Sequence, residues 1–333
     1  MTQPAFDVIG FGNAIVDVLA RTEDDMLVAH GMRKGGMTLI DEARAQAVYA
    51  AMGPGVEISG GSAANTMVGL ATLGGRAAFV GKVRDDTLGS IFGHDISAAG
   101  VRFATPAAAS GPATGRCLIL VTPDGERTMN TFLGAAQDLG PDDVSEADVA
   151  GAAIVYLEGY LWDPPAAKAA FLKAAQIAHR AGRSVALTLS DAFCVDRYRA
   201  EFLGLMRAGT VDLLFANESE LKALYETADF DAALAQVRAD VARAVVTRSE
   251  QGALSVAGAA TAAVPAFAVE RVVDTTGAGD LFAAGYLYGH ARGLAPEDSL
   301  RLGALAAAEI IGHMGARPER DLRAFAQENG LKL

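Results

Sequence analysis

The stretch Asp274–Thr275–Thr276–Gly277–Ala278–Gly279–Asp280, followed by the helical pattern Leu281–Gly289, carries the most information in the chain. Gly277, Ala278 and Gly279 are small enough for a ligand to approach the backbone, and a helix opening there leaves its first N–H groups without partners. Such a terminus favours anions through those N–H groups and through the helix dipole. An acidic residue in the same turn repels a bound phosphate if it is mere decoration. Beside an alcohol, however, Asp280 can accept a proton as the oxygen attacks phosphorus. The competing reading of the four residues is a tight turn whose Asp caps the helix.

Upstream of this segment, short runs rich in β-branched residues alternate with longer stretches of helical period. The expected strands are Phe6–Gly10, Ala77–Val80, Cys117–Val121, Ile154–Leu157, Val185–Leu189, Leu213–Phe215, Ala244–Thr247 and Ala253–Val256. The expected helices between them are Ala63–Leu73, Asp86–Ala99, Ala166–Ala181, Arg197–Met206, Glu218–Tyr225 and Asp231–Val241. Downstream of Val273 only helices are expected, at Gly279–Arg292, Pro296–Met314 and Pro318–Glu328. Strands separated by helices imply βαβ units and a three-layer α/β fold with a mainly parallel central sheet.

Two stretches fit this scheme poorly. Ala20–Ser59 is interrupted by Gly31, Gly35 and Gly36, and Thr114–Thr131 alternates around a Pro123–Asp124–Gly125 turn. The latter reads as a hairpin with arms Arg116–Val121 and Arg127–Phe132. Paired outside the main sheet, the two stretches would make a small accessory β-sheet within a single domain spanning residues 1–333. No internal repeat or linker divides the chain.

The 333 residues are half apolar, enough for a well-buried core. A formal charge of −12 argues against a nucleic-acid surface but leaves room for polyphosphate bound by backbone N–H groups and a metal ion. No run approaches the ~20 apolar residues of a membrane helix. Met1–Phe6 lacks the basic-then-apolar order of an export signal. Cys117 and Cys194 have no metal-like spacing and read as buried thiols of a reducing cytoplasm. The five histidines show no ligand spacing, Gly10–Ile15 lacks the third glycine of a dinucleotide fingerprint, and no Walker motif occurs.

A second glycine-rich element, Gly60–Gly61–Ser62–Ala63–Ala64–Asn65, opens the helix through Leu73. On these two motifs the chain resembles the PfkB (ribokinase-like) family of carbohydrate and nucleoside kinases, with GGSAAN as the N-terminal motif and DTTGAGD as the C-terminal one. The resemblance extends over nearly the whole chain. It implies ATP as phosphoryl donor, Mg²⁺, with a monovalent cation left open, and a monomer or homodimer acting on a small-molecule nucleoside or sugar.

Carried onto this sequence, the resemblance makes Asp280 the general base and Gly277, Ala278 and Gly279 the anion cradle. Asn13, Asp17, Gly61, Ser62 and Asn65 fall where the family binds the hydroxyls of a sugar or ribose. A carboxylate such as Asp17 suits a vicinal diol. Asn217–Glu218–Ser219–Glu220 matches the NxxE motif, so Glu220 and Asn217 would hold Mg²⁺ through water; an Asn cap with a dipole-complementing Glu is compatible with that role. Asn217 is also expected on the ATP side, with Thr247, Ser249 and Gly252 from a turn that could equally be a plain strand connection. Arg127 aligns with a basic residue of the family proposed to neutralise the transferring phosphate charge, the alternative being an exposed hairpin Arg. The two poorly fitting stretches, about residues 14–58 and 107–134, are implied to form a lid that excludes water.

Within the family the chain is most similar to adenosine kinases, through Glu158–Gly159–Tyr160–Leu161, Leu189–Ser190–Asp191–Ala192–Phe193 and Phe215–Ala216–Asn217–Glu218. The resemblance implies that Phe193 stacks on a purine, with Met37 and Leu39 adding apolar contact; Phe193 as plain core is the other reading. Asp191 and Ala192 depart from the Ala-Pro of animal adenosine kinases, and Asp274–Thr275–Thr276 follows the general family form. Another purine nucleoside or a ribokinase- or fructokinase-type sugar substrate therefore stays open.

Overall fold

Alternation along each strand separates the core into two halves. Val8 of β1 (Phe6–Phe11) packs with one apolar cluster, while Ile9 and Phe11 pack with the other. The same alternation recurs at Val245 against Ala244 and Val246, so a sheet apolar on both faces must be covered on both. One cover is the helices Ser62–Thr72, Ala278–Ala291 and Pro296–Ile311, contributing Met67, Leu70, Leu281, Tyr286 and Leu305. The other includes Pro165–Arg180 and Ala192–Arg207, contributing Phe171, Ala174 and Phe202. The computed structural model describes residues 4–333.

After β1 the strands run β2 (Ile15–Arg21), β3 (Met37–Leu39), β4 (Gly55–Gly60), β5 (Ala77–Val80), β6 (Val101–Phe103), β7 (Gly115–Val121) and β8 (Arg127–Phe132). They continue as β9 (Ala152–Glu158), β10 (Ser184–Thr188), β11 (Leu213–Asn217), β12 (Arg243–Thr247), β13 (Ala253–Ala257) and β14 (Ala260–Val264). The main sheet has the order β14-β13-β12-β11-β10-β9-β1-β5-β6, with every pair from β12 to β6 parallel. The mainly parallel three-layer architecture expected from the sequence is the one observed. Short β6 and all-small β14 escape the strand pattern and are recruited by pairing at the two edges.

A second sheet, β3-β8-β7-β2-β4, draws on residues 15–60 and 115–132. The expected hairpin is present, Arg116 opposite Phe132 and Val121 opposite Arg127. The stretch Ala20–Ser59, however, is not extended throughout, for it contains the helices Asp24–Ala29 and Glu42–Ala51. Asp41 caps the latter by accepting the Arg44 N–H at 2.7 Å, and Ala45 and Val48 bury its inner face against β7 and β8. The helix expected from Arg197 instead starts at Ala192, because Asp191 accepts the Cys194 N–H at 2.6 Å; it kinks at Tyr198.

Candidate active site

The carboxyl ends of five adjacent parallel strands deliver the candidate residues in a row. Asn13 follows β1, Glu158 ends β9, Ser190–Phe193 follows β10, Asn217 ends β11 and Thr247 ends β12. At the spacing of sheet strands this row is on the order of 20 Å long. Ligands of open α/β sheets bind at this edge, where the connecting turns diverge.

At one end of the row two helix N-termini meet. Gly277 precedes the helix Ala278–Ala291 with φ of 79°, a left-handed conformation glycine adopts freely, and space is open where Gly279 lacks a Cβ. Asp280 lies in that first turn but does not cap the helix. Its Oδ1 accepts the Ser62 hydroxyl at 2.6 Å and its Oδ2 accepts the Asn65 Nδ2 at 3.1 Å, both from the other helix. The turn-and-cap reading of the four residues is thus excluded by geometry. Burial pushes the Asp280 carboxyl up, while the bonds from Ser62 and Asn65 and the Arg317 charge pull it down.

The surroundings of Asp280 are rich in acceptors. Burial brings Asp17 up to about 6, against the pull of Arg317 and Arg127. Glu158, 1% exposed, is raised to about 7 by burial although it accepts Asn13 Nδ2 at 2.7 Å and the Ala63 N–H at 2.8 Å. Those bonds orient Asn13 so that its Oδ1 is left without a hydrogen-bond partner, as is the Oδ1 of Asn65. Gly61 begins its helix with φ of 99°, and a Cβ there would overlap the Asn13 carbonyl oxygen. Gly61→Ala is therefore expected to lower thermal stability by about 1–3 kcal/mol or more, readable as a reduced melting temperature. An unchanged melting temperature would show that this turn tolerates a side chain.

Arg127 is not an exposed hairpin residue. Its side chain is 8% exposed and pairs with Asp274 at 2.6 Å, so the second sheet is bonded to the turn that carries Asp280. Its Nε and Nη2 have no partner. Asp274 also accepts the Thr276 N–H at 3.1 Å and the Gly315 N–H at 3.0 Å.

Other predicted residues lie further along the row. Asn217 and Glu220 form a reciprocal cap: Asn217 Oδ1 accepts the Glu220 N–H at 2.8 Å, and Glu220 Oε2 accepts the Asn217 N–H at 2.9 Å. Each carboxylate oxygen of Glu220 keeps a second lone pair. Burial raises this group to about 7, and the nearby Asp191 charge adds to it, so a hydrated cation would relieve both. Gly252 is required both by packing, since a Cβ would overlap the Val264 carbonyl oxygen, and by its φ of 86°; Ser249 also has a positive φ. Phe193 is 78% exposed, which excludes the plain-core reading, and Met37 is also exposed, on β3. No hydrogen bond or ion pair among the described residues joins Phe193, Met37 or the Thr247–Gly252 turn to the Asp280 cluster.

Three participants had been assigned no role: Glu158, Asp274 as the partner of Arg127, and Arg317. Glu158 and Asp274 each open a motif quoted above, and Glu158 is a carboxylate just after an expected strand; Arg317 had no such signal. Among the described residues no group of three or more acidic, His or Cys side chains gathers as a metal site, and no helix is long and apolar enough to cross a membrane.

Residues 41–321 match the family described as pfkB family carbohydrate kinase. The chain belongs to the pfkB family. Its fold is accordingly the ribokinase-like one, and it is a phosphotransferase acting on a hydroxyl group, a nucleoside or sugar kinase of a family that uses ATP. Among solved structures, the probable sugar kinase protein from Rhizobium etli CFN 42 is 52% identical with a TM-score of 0.93, over 99% of this chain and all of that one. The adenosine kinase from Sinorhizobium meliloti is 54% identical with a TM-score of 0.91, over 98% of this chain and 99% of that one. The adenosine kinase of Saccharomyces cerevisiae is 26% identical over 95% of this pfkB-family chain and 96% of its own length.

Proposed function

We propose that this pfkB-family enzyme phosphorylates the 5′-hydroxyl of a purine nucleoside, adenosine to AMP first, with ATP as donor. Asp280 takes the proton of the attacking hydroxyl as that oxygen bonds to the γ-phosphorus and ADP leaves. Asp17 accepts from the ribose diol, helped by Asn13 and Asn65, whose Oδ1 atoms are free, and by the Gly61–Ser62 turn. A pocket of acceptors suits an uncharged polyol, which brings its own O–H donors. Gly277, Ala278 and Gly279 cradle the transferring phosphate, and Arg127 offers it the N–H groups of two unpaired nitrogens, Nε and Nη2.

ATP extends toward Asn217 and the Thr247, Ser249 and Gly252 turn. Glu220 and Asn217 fit a role in orienting water around Mg²⁺, which supplies charge neutralisation between the phosphates. The segments 14–58 and 107–134 act as a lid within one domain. A monomer or homodimer in the cytoplasm fits the buried free thiols Cys117 and Cys194.

The observation that carries the nucleoside reading is Phe193, a large ring 78% exposed at the first turn after β10. An aromatic side chain that buries nothing in the free protein is available to a purine face, and exposed Met37 is proposed to add a flexible apolar contact. Similarity to the Sinorhizobium meliloti adenosine kinase supports the same reading. A sugar kinase of ribokinase or fructokinase type is the second reading, favoured by similarity to the Rhizobium etli protein.

ADP release with ATP and Mg²⁺ across adenosine, inosine, guanosine, ribose and fructose tests both. A purine nucleoside should give the highest kcat/KM; a free sugar turning over better overturns the proposal. Phe193→Ala should cost a purine nucleoside about 1–3 kcal/mol, or roughly 5- to 150-fold in KM, with little effect on a sugar. Its exposure means that the fold should not suffer, so the KM change can be read directly. Equal losses on both substrates would remove the stacking role.

A further inference from the structure

We propose that Arg317 is a positioning residue for phosphoryl transfer: its guanidinium clamps the end of β4 to the first turn of the helix that Gly60–Gly61 opens, and supplies the positive charge that Asp17 and Asp280 face. The proposal rests on the reading of Asp280 as base.

Arg317 lies in the irregular segment after the helix Pro296–Ile311, far in sequence from everything it touches. Its Nε donates to the Ser59 carbonyl at 2.9 Å, and its Nη2 to the same carbonyl at 2.5 Å and to Ser59 Oγ at 2.7 Å. Its Nη1 reaches the Ala64 carbonyl at 3.2 Å, in the first turn of the helix that presents Ser62 and Asn65 to Asp280. Ser59 is held from behind by Asp95, which accepts its N–H at 2.8 Å and also its hydroxyl. The preceding residue, Ala316, packs under Gly277, where a Cβ would come within 3.0 Å of its Cα. One short segment therefore touches both glycine-rich turns, Ala316 beneath Gly277 and the Arg317 guanidinium across Ser59 and Ala64.

The hydrogen bonds of Arg317 end on carbonyl and hydroxyl oxygens, so no bonded carboxylate cancels its charge. That charge acts instead on Asp95, Asp17 and Asp280. Burial lowers Arg317 to about 10, which leaves it protonated at neutral pH. Asp280 is faced by Asp17 from β2, by Tyr156 and Glu158 from β9 and by Tyr160 just beyond it; Arg127 faces Asp17. Arg317 is the cation set against burial of Asp280. Without it, the carboxylate ionises less readily, and proton acceptance fails at a higher pH.

The test is the pH profile of kcat/KM for Arg317→Met, Arg317→Gln and Arg317→Lys, beside Asp280→Asn and melting temperatures for all. Loss of the charge should move the acid limb upward by about one pH unit or more. Lysine should return the limb to its original position, even though it cannot span both carbonyls. Should the Met variant fail to fold, Gln keeps an amide donor for Ser59 and carries the same prediction. A limb unmoved in the neutral variants, with only lower melting temperatures, overturns the proposal and makes Arg317 structural. Full turnover by Asp280→Asn would remove the base itself, a failure distinguishable because it occurs with Arg317 intact.

Discussion

Asp280→Asn is expected to lower kcat by about 10²- to 10⁴-fold while leaving nucleoside affinity within a few-fold. Asparagine keeps the shape and one accepting oxygen, so the turn facing Ser62 and Asn65 should persist. What disappears is the ability to take a proton. The stability of the variant follows from the sign of the shift. Asp280 is raised in the folded protein, so its ionised form is disfavoured by folding, and above the unfolded pKa the carboxylate weakens the fold. A neutral side chain removes that cost and loses one hydrogen bond, worth about 1 kcal/mol. Melting temperature near neutral pH should therefore stay close to that of the original protein. Turnover by ADP release and affinity by calorimetry give the two numbers, and undiminished kcat would take Asp280 out of the reaction.

Arg127→Met combines two losses that a second substitution can separate. Removing the guanidinium leaves Asp274 buried without its ion-pair partner, at a cost of about 3–5 kcal/mol. It also withdraws the unpaired N–H groups proposed to meet the transferring phosphate, for which a fall of about 10²–10³-fold in kcat is expected. Adding Asp274→Asn removes the stranded charge, so the double variant should recover much of the melting temperature. Activity should not return with it. If kcat recovers alongside stability, Arg127 is a latch between the two sheets and nothing more.

Much of the fold is legible because each main strand carries its own signal. Runs such as Ile154–Leu157 and Ala244–Thr247 are short and apolar, and helices of clear period separate them, which leaves a covered parallel sheet as the natural arrangement. The edges are less legible. β14 reads Ala-Thr-Ala-Ala-Val and becomes a strand only because β13 offers it a ladder. The helix Glu42–Ala51 is hidden by the glycines and short strands around it, and it forms where the second sheet gives Ala45 and Val48 a surface to cover.

The site divides in the same way. Glycine-rich turns and the acids beside them can be read locally, since close backbone approach and a helix start are written in adjacent residues. The sequence by itself therefore determined the family, the layered sheet and the residue proposed to take the proton. Tertiary structure alone decided that Asp280 bonds to Ser62 and Asn65, that Arg127 is buried against Asp274, that Phe193 stands free, and that Arg317 reaches Ser59 across 258 positions. The physical reason is range: conformational preference acts over a few neighbouring residues, whereas charge pairing and burial depend on which distant segments the sheet order brings together.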